Sequence, residues 1–263
     1  MQLDRAKTMH PPSTLMLVPL AGLPEIEAGD DLAGLLAQAV RSAGESLLDG
    51  DILVVAQKIV SKAEGRTVAL ADVQPSARAC EISRICEKNP RLVELVLRES
   101  SEVVRCRKDV LIVRHKLGFV VANAAIDHSN VAAGDDRALL LPRDPDASAA
   151  AIRTSLNAAF GTEIGVVIND SFGRPWRLGT CGTAIGCAGI ESLRDLRGKP
   201  DRFGRKLLTS ELAIGDEIAA AGSLVMGQAS EGVPAVIVRG LARFEKHRPA
   251  ADLLRPVQSD LFT

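Results

Sequence analysis

Short apolar runs decide most of what this chain can become. Ile52-Leu53-Val54-Val55-Ala56 is uninterrupted by polar residues and rich in β-branched side chains, and Ile164 to Asn169 repeats the pattern. A strand wetted on one face needs only alternating apolar residues, so an unbroken run predicts a strand covered on both faces. Leu15 to Leu20 reads as a first strand, ended by Gly22-Leu23-Pro24. Pro234 to Arg239 reads as a last one, with the proline acceptable at its start.

The helices announce themselves by caps and spacing. Leu32, Leu35, Leu36, Ala39 and Val40 recur at helical intervals behind Asp30, the expected N-cap, and the helix runs down near Gly44. Pro75-Ser76 opens a helix to about Cys86, and Asn89-Pro90 starts another to about Glu99. Asp144-Pro145-Asp146 precedes a helix to Phe160, and Ser210 to about Val225 predicts one more. Val110 to His115 and Phe119 to Ala122 flank Lys116-Leu117-Gly118 as a hairpin. Asp170 to Gly204 reads as a long, polar, glycine-dotted stretch. Strands and helices mix without strict alternation, and neither a repeat nor a low-complexity linker divides them. The expected class is α+β, with mixed or antiparallel sheets in one unit over residues 1–263 and residues 1–14 as a flexible extension.

Composition narrows the function. A formal net charge of −1 gives no global field for nucleic acid or an anionic membrane. Aromatic residues are 3% of the chain and Tyr is absent, which argues against base-stacking platforms. Cys80, Cys86, Cys106, Cys181 and Cys187 are odd in number and form no CxxC pair, so reduced cysteines are expected rather than zinc ligands or disulfides. Met1 to Thr14 lacks a long apolar stretch and no run reaches the ~20 residues of a membrane span, which predicts a cytoplasmic protein.

Three polar segments adjoin apolar strands, the usual way a fold presents a site. In the segment from Asn123 to Asn130, Asp127 suits a hard cation and Asn130 a phosphate, although the same residues fit a plain turn. In Asn169-Asp170-Ser171-Phe172-Gly173-Arg174-Pro175-Trp176-Arg177, an aspartate at a strand end followed by serine offers two oxygen ligands for Mg²⁺ or Mn²⁺. Arg174 and Arg177 add fixed charge for phosphate or carboxylate, so three charged groups are expected to converge there. The third segment, Met226-Gly227-Gln228-Ala229-Ser230-Glu231-Gly232-Val233-Pro234, has glycines that allow close backbone approach but no Walker pattern. Lys58 and Lys62, just after the first buried run, suit phosphates or simple solvation. His128 beside Asp127 suits a bystander or an acid–base group. Neither a GxGxxG fingerprint nor a GxSxG elbow is present. The residues read as a hard-metal, phosphate-handling enzyme.

At these segments the chain resembles the coenzyme F420:L-glutamate ligase family. The likeness is carried, in order, by GLPEIEAGDDLA (22–33), DGDILVVAQKIVSKAEG (49–65), ANAAIDHSNV (122–131), LPRDPDASA (141–149), INDSFGRPWRLG (168–179) and MGQASEGVPAVIVRG (226–240). The resemblance implies a homodimer of unusual α+β fold. It also implies GTP-dependent attachment of L-glutamate, through a γ-linked amide, to coenzyme F420-0. Mg²⁺ or Mn²⁺, two ions as a rule, and stimulation by K⁺ are implied as well. It assigns metal to Asp127, Asp170, Ser171 and Gln228, with the two aspartates catalytic. Nucleotide is assigned to Leu23, Pro24, Glu25, Ile26, Gln57, Lys58, Lys62, Asn130 and the loop Met226 to Val233. The family often has Gly at Ala125 and an acidic residue at Gln228. The rival readings are a metal-dependent phosphoryl-transfer enzyme without amide formation and a non-catalytic GTP-binding module.

Overall fold

The computed structural model describes residues 14–127 and 136–260. The chain opens with β1 (Met16–Leu20), α1 (Leu32–Ser42), β2 (Ile52–Ala56) and α2 (Gln57–Ala63). β3 (Thr67–Ala69), α3 (Ala77–Cys86), α4 (Pro90–Arg98) and the strands β4 (Ser100–Arg107), β5 (Val110–His115) and β6 (Val120–Ala122) follow. Next come β7 (Arg137–Leu139), α5 (Pro145–Phe160), β8 (Gly165–Arg174) and β9 (Arg177–Ala188). β10 (Arg194–Asp195), β11 (Glu211–Leu212), α6 (Ile214–Met226) and β12 (Ala235–Arg239) complete the order.

β2 is the middle strand of a five-stranded sheet ordered β1-β12-β2-β8-β9. It pairs parallel with β8 and antiparallel with β12. The sheet is therefore mixed, as the α+β expectation required. Leu53 and Val55 point into one core with Leu36 and Val40 of α1 and Ile152 and Leu156 of α5. Ile52 and Val54 point the other way, into a core with Ile218, Ala219 and Met226 of α6. Each such side chain contributes ~1.5–3 kcal/mol by leaving water, and both faces of β2 are dry, which is why its sequence does not alternate. A second sheet, β4-β5-β6, packs its Leu111 and Val113 against Ala79, Ile82 and Val93 of α3 and α4. Phe119, just before β6, meets Phe172 of β8 edge to face at 5.6 Å and joins the two sheets.

Caps follow the sequence, with one shift. Ser76, Asn89 and Asp144 each accept a backbone N–H at the start of α3, α4 and α5. At α1 the cap is Asp31, which accepts from the Gly34 N–H, while Asp30 turns back to the Glu27 N–H. The larger differences are strands. Residues 170–188, expected as a polar stretch, extend β8 and form β9, the two making a long hairpin. Polar Ser100–Arg107 is β4, and α6 begins at Ile214 because Glu211–Leu212 pairs with β10. The glycines that hid β9 have a packing reason: a Cβ on Gly182 would stand 2.5 Å from the Ala219 carbonyl of α6. Gly222 of α6 is also tight, since its Cβ would lie 2.8 Å from Val54 Cγ1.

That close seat of α6 on β2 yields a test. Gly222→Leu forces the helix off the sheet and should destabilise the protein by ~1–3 kcal/mol. Urea unfolding should show the midpoint falling; an unchanged midpoint would mean that the helix does not sit on Val54.

Candidate active site

Three chain segments reach the same end of the central sheet. β2 ends at Ala56, which pairs with Asn169 of β8. The Ala56 N–H donates to the Pro234 carbonyl at 2.8 Å, so the loop between α6 and β12 arrives beside both. A cleft of about 400 Å³ opens there, lined by residues 23–26, 56–59, 62, 169–171 and 226–234.

One wall is α2, which starts directly after β2 without a side-chain cap. Lys58 and Lys62 are one turn apart and share a helix face. The Lys58 ammonium lies 3.0 Å from the Asp127 carboxylate, and Lys62 lies 2.5 Å from Glu25. Gln57 is 1% exposed; its Oε1 accepts the Ser61 hydroxyl at 3.1 Å, while its buried Nε2 donor has no hydrogen-bond partner among the described residues. An unsatisfied buried donor costs about 1–3 kcal/mol, and one beside a cleft is a position for a ligand acceptor.

The floor is Asp170. The β8–β9 register slips between Ile168 and Asn169, a bulge that changes which way the next side chain is aimed. Asn169 locks this turn: its amide donates to Ser223 of α6 and accepts the Thr183 N–H of β9. Burial pushes the Asp170 carboxyl up to about 7, and the Asp127 charge adds to the rise. The Ser171 N–H, 2.7 Å from Asp170 Oδ1, and the Lys58 ammonium pull the other way. Asp127 follows Asn123, Ala124 and Ala125, all non-glycine residues in the left-handed region, with φ of 51°, 54° and 54°. Such residues cost of order 1–3 kcal/mol each and cluster where a side chain must be held at a fixed place. Gly at the Ala125 position would adopt that φ freely.

Leu23, Pro24, Glu25, Ile26, Gln57, Lys58 and Lys62 all line the cleft, as do Asp170, Ser171 and the loop from Met226 to Val233. Asp127 stands behind Lys58 rather than on the lining. Asn130 and His128 lie outside the described residues. Arg174 and Arg177 do not converge with Asp170, contrary to expectation. They pair with each other at the exposed end of the hairpin, and four residues of extended chain, about 13 Å, separate Arg174 from Asp170. Sequence reasoning gave no site role to Ala56, Ile59, Asn169 and Pro234, which also line the cleft. Asn169 carried a usable signal, as an amide immediately before a strand-end aspartate.

Two carboxylates, a hydroxyl and an amide oxygen (Asp127, Asp170, Ser171 and Gln228) are the oxygen donors a hard divalent cation takes. Among the described residues there is no cluster of three or more His, Cys, Asp or Glu fit for a metal. A cation here would draw its remaining ligands from water and substrate phosphates, as Mg²⁺ commonly does. The rise in the Asp170 pKa fits the same chemistry, since added positive charge would reverse it.

The raised pKa fixes a pH dependence. A carboxyl whose folded pKa is raised stabilises the fold fully below its unfolded pKa, and this stabilisation is lost as pH rises through about 7. Asp170→Asn in chelator should therefore be more stable than wild type at pH 8, by on the order of 2 kcal/mol, with the gap closing towards pH 4. Thermal melts across that range check it; a gap independent of pH would contradict it.

Comparison with known proteins places the chain in a family. The family model for F420-0:Gamma-glutamyl ligase matches residues 22–240. The chain is 47% identical over 250 residues to the coenzyme F420:L-glutamate ligase of Methanothermobacter thermautotrophicus, covering 94% of this chain and 98% of that one. It is 42% identical over 253 residues to the Methanopyrus kandleri protein of the same name, covering 95% and 98%. The Halobacterium salinarum protein, also so named, is 43% identical over 245 residues, covering 91% and 92%. The chain belongs to the F420-0:gamma-glutamyl ligase family.

Proposed function

We propose that this protein joins L-glutamate to coenzyme F420-0 through a γ-linked amide, using GTP and divalent cations, in the cytoplasm. The observation that carries the reading is the convergence on one cleft of two lysines, a half-buried aspartate with a raised pKa and a Gln57 donor that has no partner among the described residues, in a chain of this family. Three relatives that align with nearly the whole chain bear the name of that ligase.

The chemistry follows from what a carboxylate lacks. Its anion does not react with an amine at neutral pH, so the acceptor carboxylate must first gain a leaving group. The acceptor oxygen attacks the γ-phosphorus of GTP, the bond to the β-phosphate oxygen breaks, and an acyl phosphate and GDP result. The glutamate amine then attacks the acyl carbon, loses a proton, and expels inorganic phosphate. Phosphoryl transfer depends chiefly on position and charge neutralisation. Lys58 and Lys62 supply fixed positive charge on the α2 wall, and the Gln57 Nε2 supplies a preset donor. Asp127 and Asp170, with Ser171 and Gln228, would hold the divalent cations, which neutralise phosphate charge when bound. Asp127 also orients Lys58 through their ion pair. At the exposed hairpin end, Trp176 and Leu178 are 89% and 99% exposed and offer apolar surface for the second subunit of a homodimer.

Incubation with F420-0, GTP, Mn²⁺ and L-glutamate should give products heavier by glutamyl residues, with phosphate released only when glutamate is present. Phosphate release indifferent to glutamate would reject amide formation. Asp127→Asn and Asp170→Asn should each lower turnover by at least ~10²-fold, as loss of one transition-state electrostatic contact costs ~2.7–4 kcal/mol. Near-normal turnover of Asp170→Asn would remove it from the site. Gln228→Glu adds a charged oxygen and should lower the metal concentration for half-maximal activity, because hard cations favour charged ligands. Gln228→Ala should raise it with little change in melting temperature, and wild-type metal dependence in both variants would make Gln228 a bystander. Light scattering at micromolar concentration should report a dimer.

A further inference from the structure

In the loop between α6 and β12, Glu231 has an arrangement to which the proposed chemistry gives no role. Glu231 is exposed, yet its side chain does not extend into solvent. It folds back so that Oε2 accepts the Ala229 N–H at 2.8 Å. Its carboxyl carbon sits where a side chain on Gly227 would be, since a Cβ there would fall 2.2 Å from it. Gly227 has φ of +71° and Gly232 +67°, so the loop is turned by residues without side chains. Backbone N–H groups of Glu231 itself, Ala229 and Gln228 hold the Glu231 carboxyl below the usual carboxylate range. Successive N–H groups gathered in this way form a nest, a concavity suited to an anionic oxygen. This nest borders the same cleft as Lys58, Lys62 and Gln57, whose Nε2 has no partner among the described residues.

We infer that the Glu231 carboxylate is an internal stand-in for an anionic group of a substrate: it fills the nest of residues 227–231, and a ligand phosphate or carboxylate displaces it on binding. The inference rests on the reading of the cleft as a substrate site and adds to it a built-in competitor. The geometry matches both halves of the idea. A carboxylate and a phosphate edge present similar acceptor oxygens to backbone donors. The stand-in is also tethered by a short, exposed side chain, so it leaves without disturbing the core. While it is seated, the loop N–H groups are satisfied and the glycine-turned backbone keeps its bound shape. The consequence is a lowered apparent affinity, because ligand binds only the fraction of molecules with the nest open.

The test compares Glu231→Gln and Glu231→Asp with wild type by titration calorimetry against GTP, inorganic pyrophosphate and L-glutamate. Glu231→Gln removes the charge. Glu231→Asp keeps the charge but shortens the reach to Ala229. If the nest is closed in ~80–90% of molecules, opening it should tighten the displacing ligand about 5- to 10-fold in both variants. Tightening of GTP and pyrophosphate with glutamate unchanged assigns the nest to phosphate, and tightening of glutamate alone assigns it to a carboxylate. Either result supports the inference. Tightening of pyrophosphate in protein that does not bind GTP would keep the nest and reject the nucleotide reading. Tightening in Glu231→Gln but not Glu231→Asp would show a bulk charge effect and overturn the inference. Wild-type or weaker affinity for all three probes in both variants, with melting temperatures preserved, would overturn it as well.

Discussion

The parallel pairing of β2 with β8 is the constraint on which the rest of the structure depends. Parallel strands end at the same edge of a sheet, so Ala56 and Asn169 finish side by side although 112 positions separate them in the chain. Antiparallel pairing of β12 on the other side of β2 brings a strand start to that edge, with Pro234 bonded to Ala56. Two strand ends and one strand start thus deliver a helix wall, a carboxylate floor and a glycine-turned loop to one place. None of these parts needs to find the others by its own contacts. The dry faces of Leu53, Val54 and Val55 hold the register, because a slip by one residue would turn every side chain to the wrong core.

Against that rigid base, the site itself is electrostatically unfinished. Asp170 is sunk where ionisation is unfavourable, and Asp127 makes it more so, while Lys58 is already engaged with Asp127. Gln57 keeps a buried donor with no acceptor among the described residues. Glu231 turns onto its own backbone. The Asp170 and Gln57 features each cost a little stability, which a ligand of matching charge would relieve. Cores are satisfied internally, whereas binding sites leave groups whose best partners come from outside. The left-handed run at Asn123–Ala125 belongs to the same pattern, since a regular strand or helix would have placed Asp127 elsewhere at lower cost.

How much of this the sequence revealed depended on which physical signal each segment carried. Unbroken apolar runs and cap residues act locally, so β2, the start of β8, α3, α4 and α5 were legible. The β8–β9 hairpin was not, because Gly182 exists to admit the α6 backbone and its absent side chain erases the strand signal. β4 was hidden for a different reason: a strand with much of its surface exposed, its Arg and Glu residues included, has little apolar pattern to show. α2 was hidden by its abrupt start, with no cap between Ala56 and Gln57. For the site, position along the chain misled once. Arg174 and Arg177 are near Asp170 in sequence, but an extended strand carries neighbours apart, whereas a loop would have gathered them.

The loop 226–234 differs from the other walls in what holds it. Its N-terminal anchor is firm: Gly222 sits against Val54, Met226 is buried, and the Gly227 N–H still bonds back to Ser223 at 3.3 Å. Its C-terminal anchor is the Pro234 carbonyl on Ala56. Between them Gln228, Ala229, Ser230 and Glu231 are all exposed, and the Ala229 N–H donates to the Glu231 carboxylate. Segments with few buried apolar contacts occupy the low-stability end of a fold, where rearrangement is cheap. The ends of the loop are thus fixed by the strand pairing that fixes Asp170 and Lys58, while its middle is free to exchange an internal carboxylate for an external anion. A wall built this way keeps the position of the cleft constant and lets only its last few donors respond to the ligand.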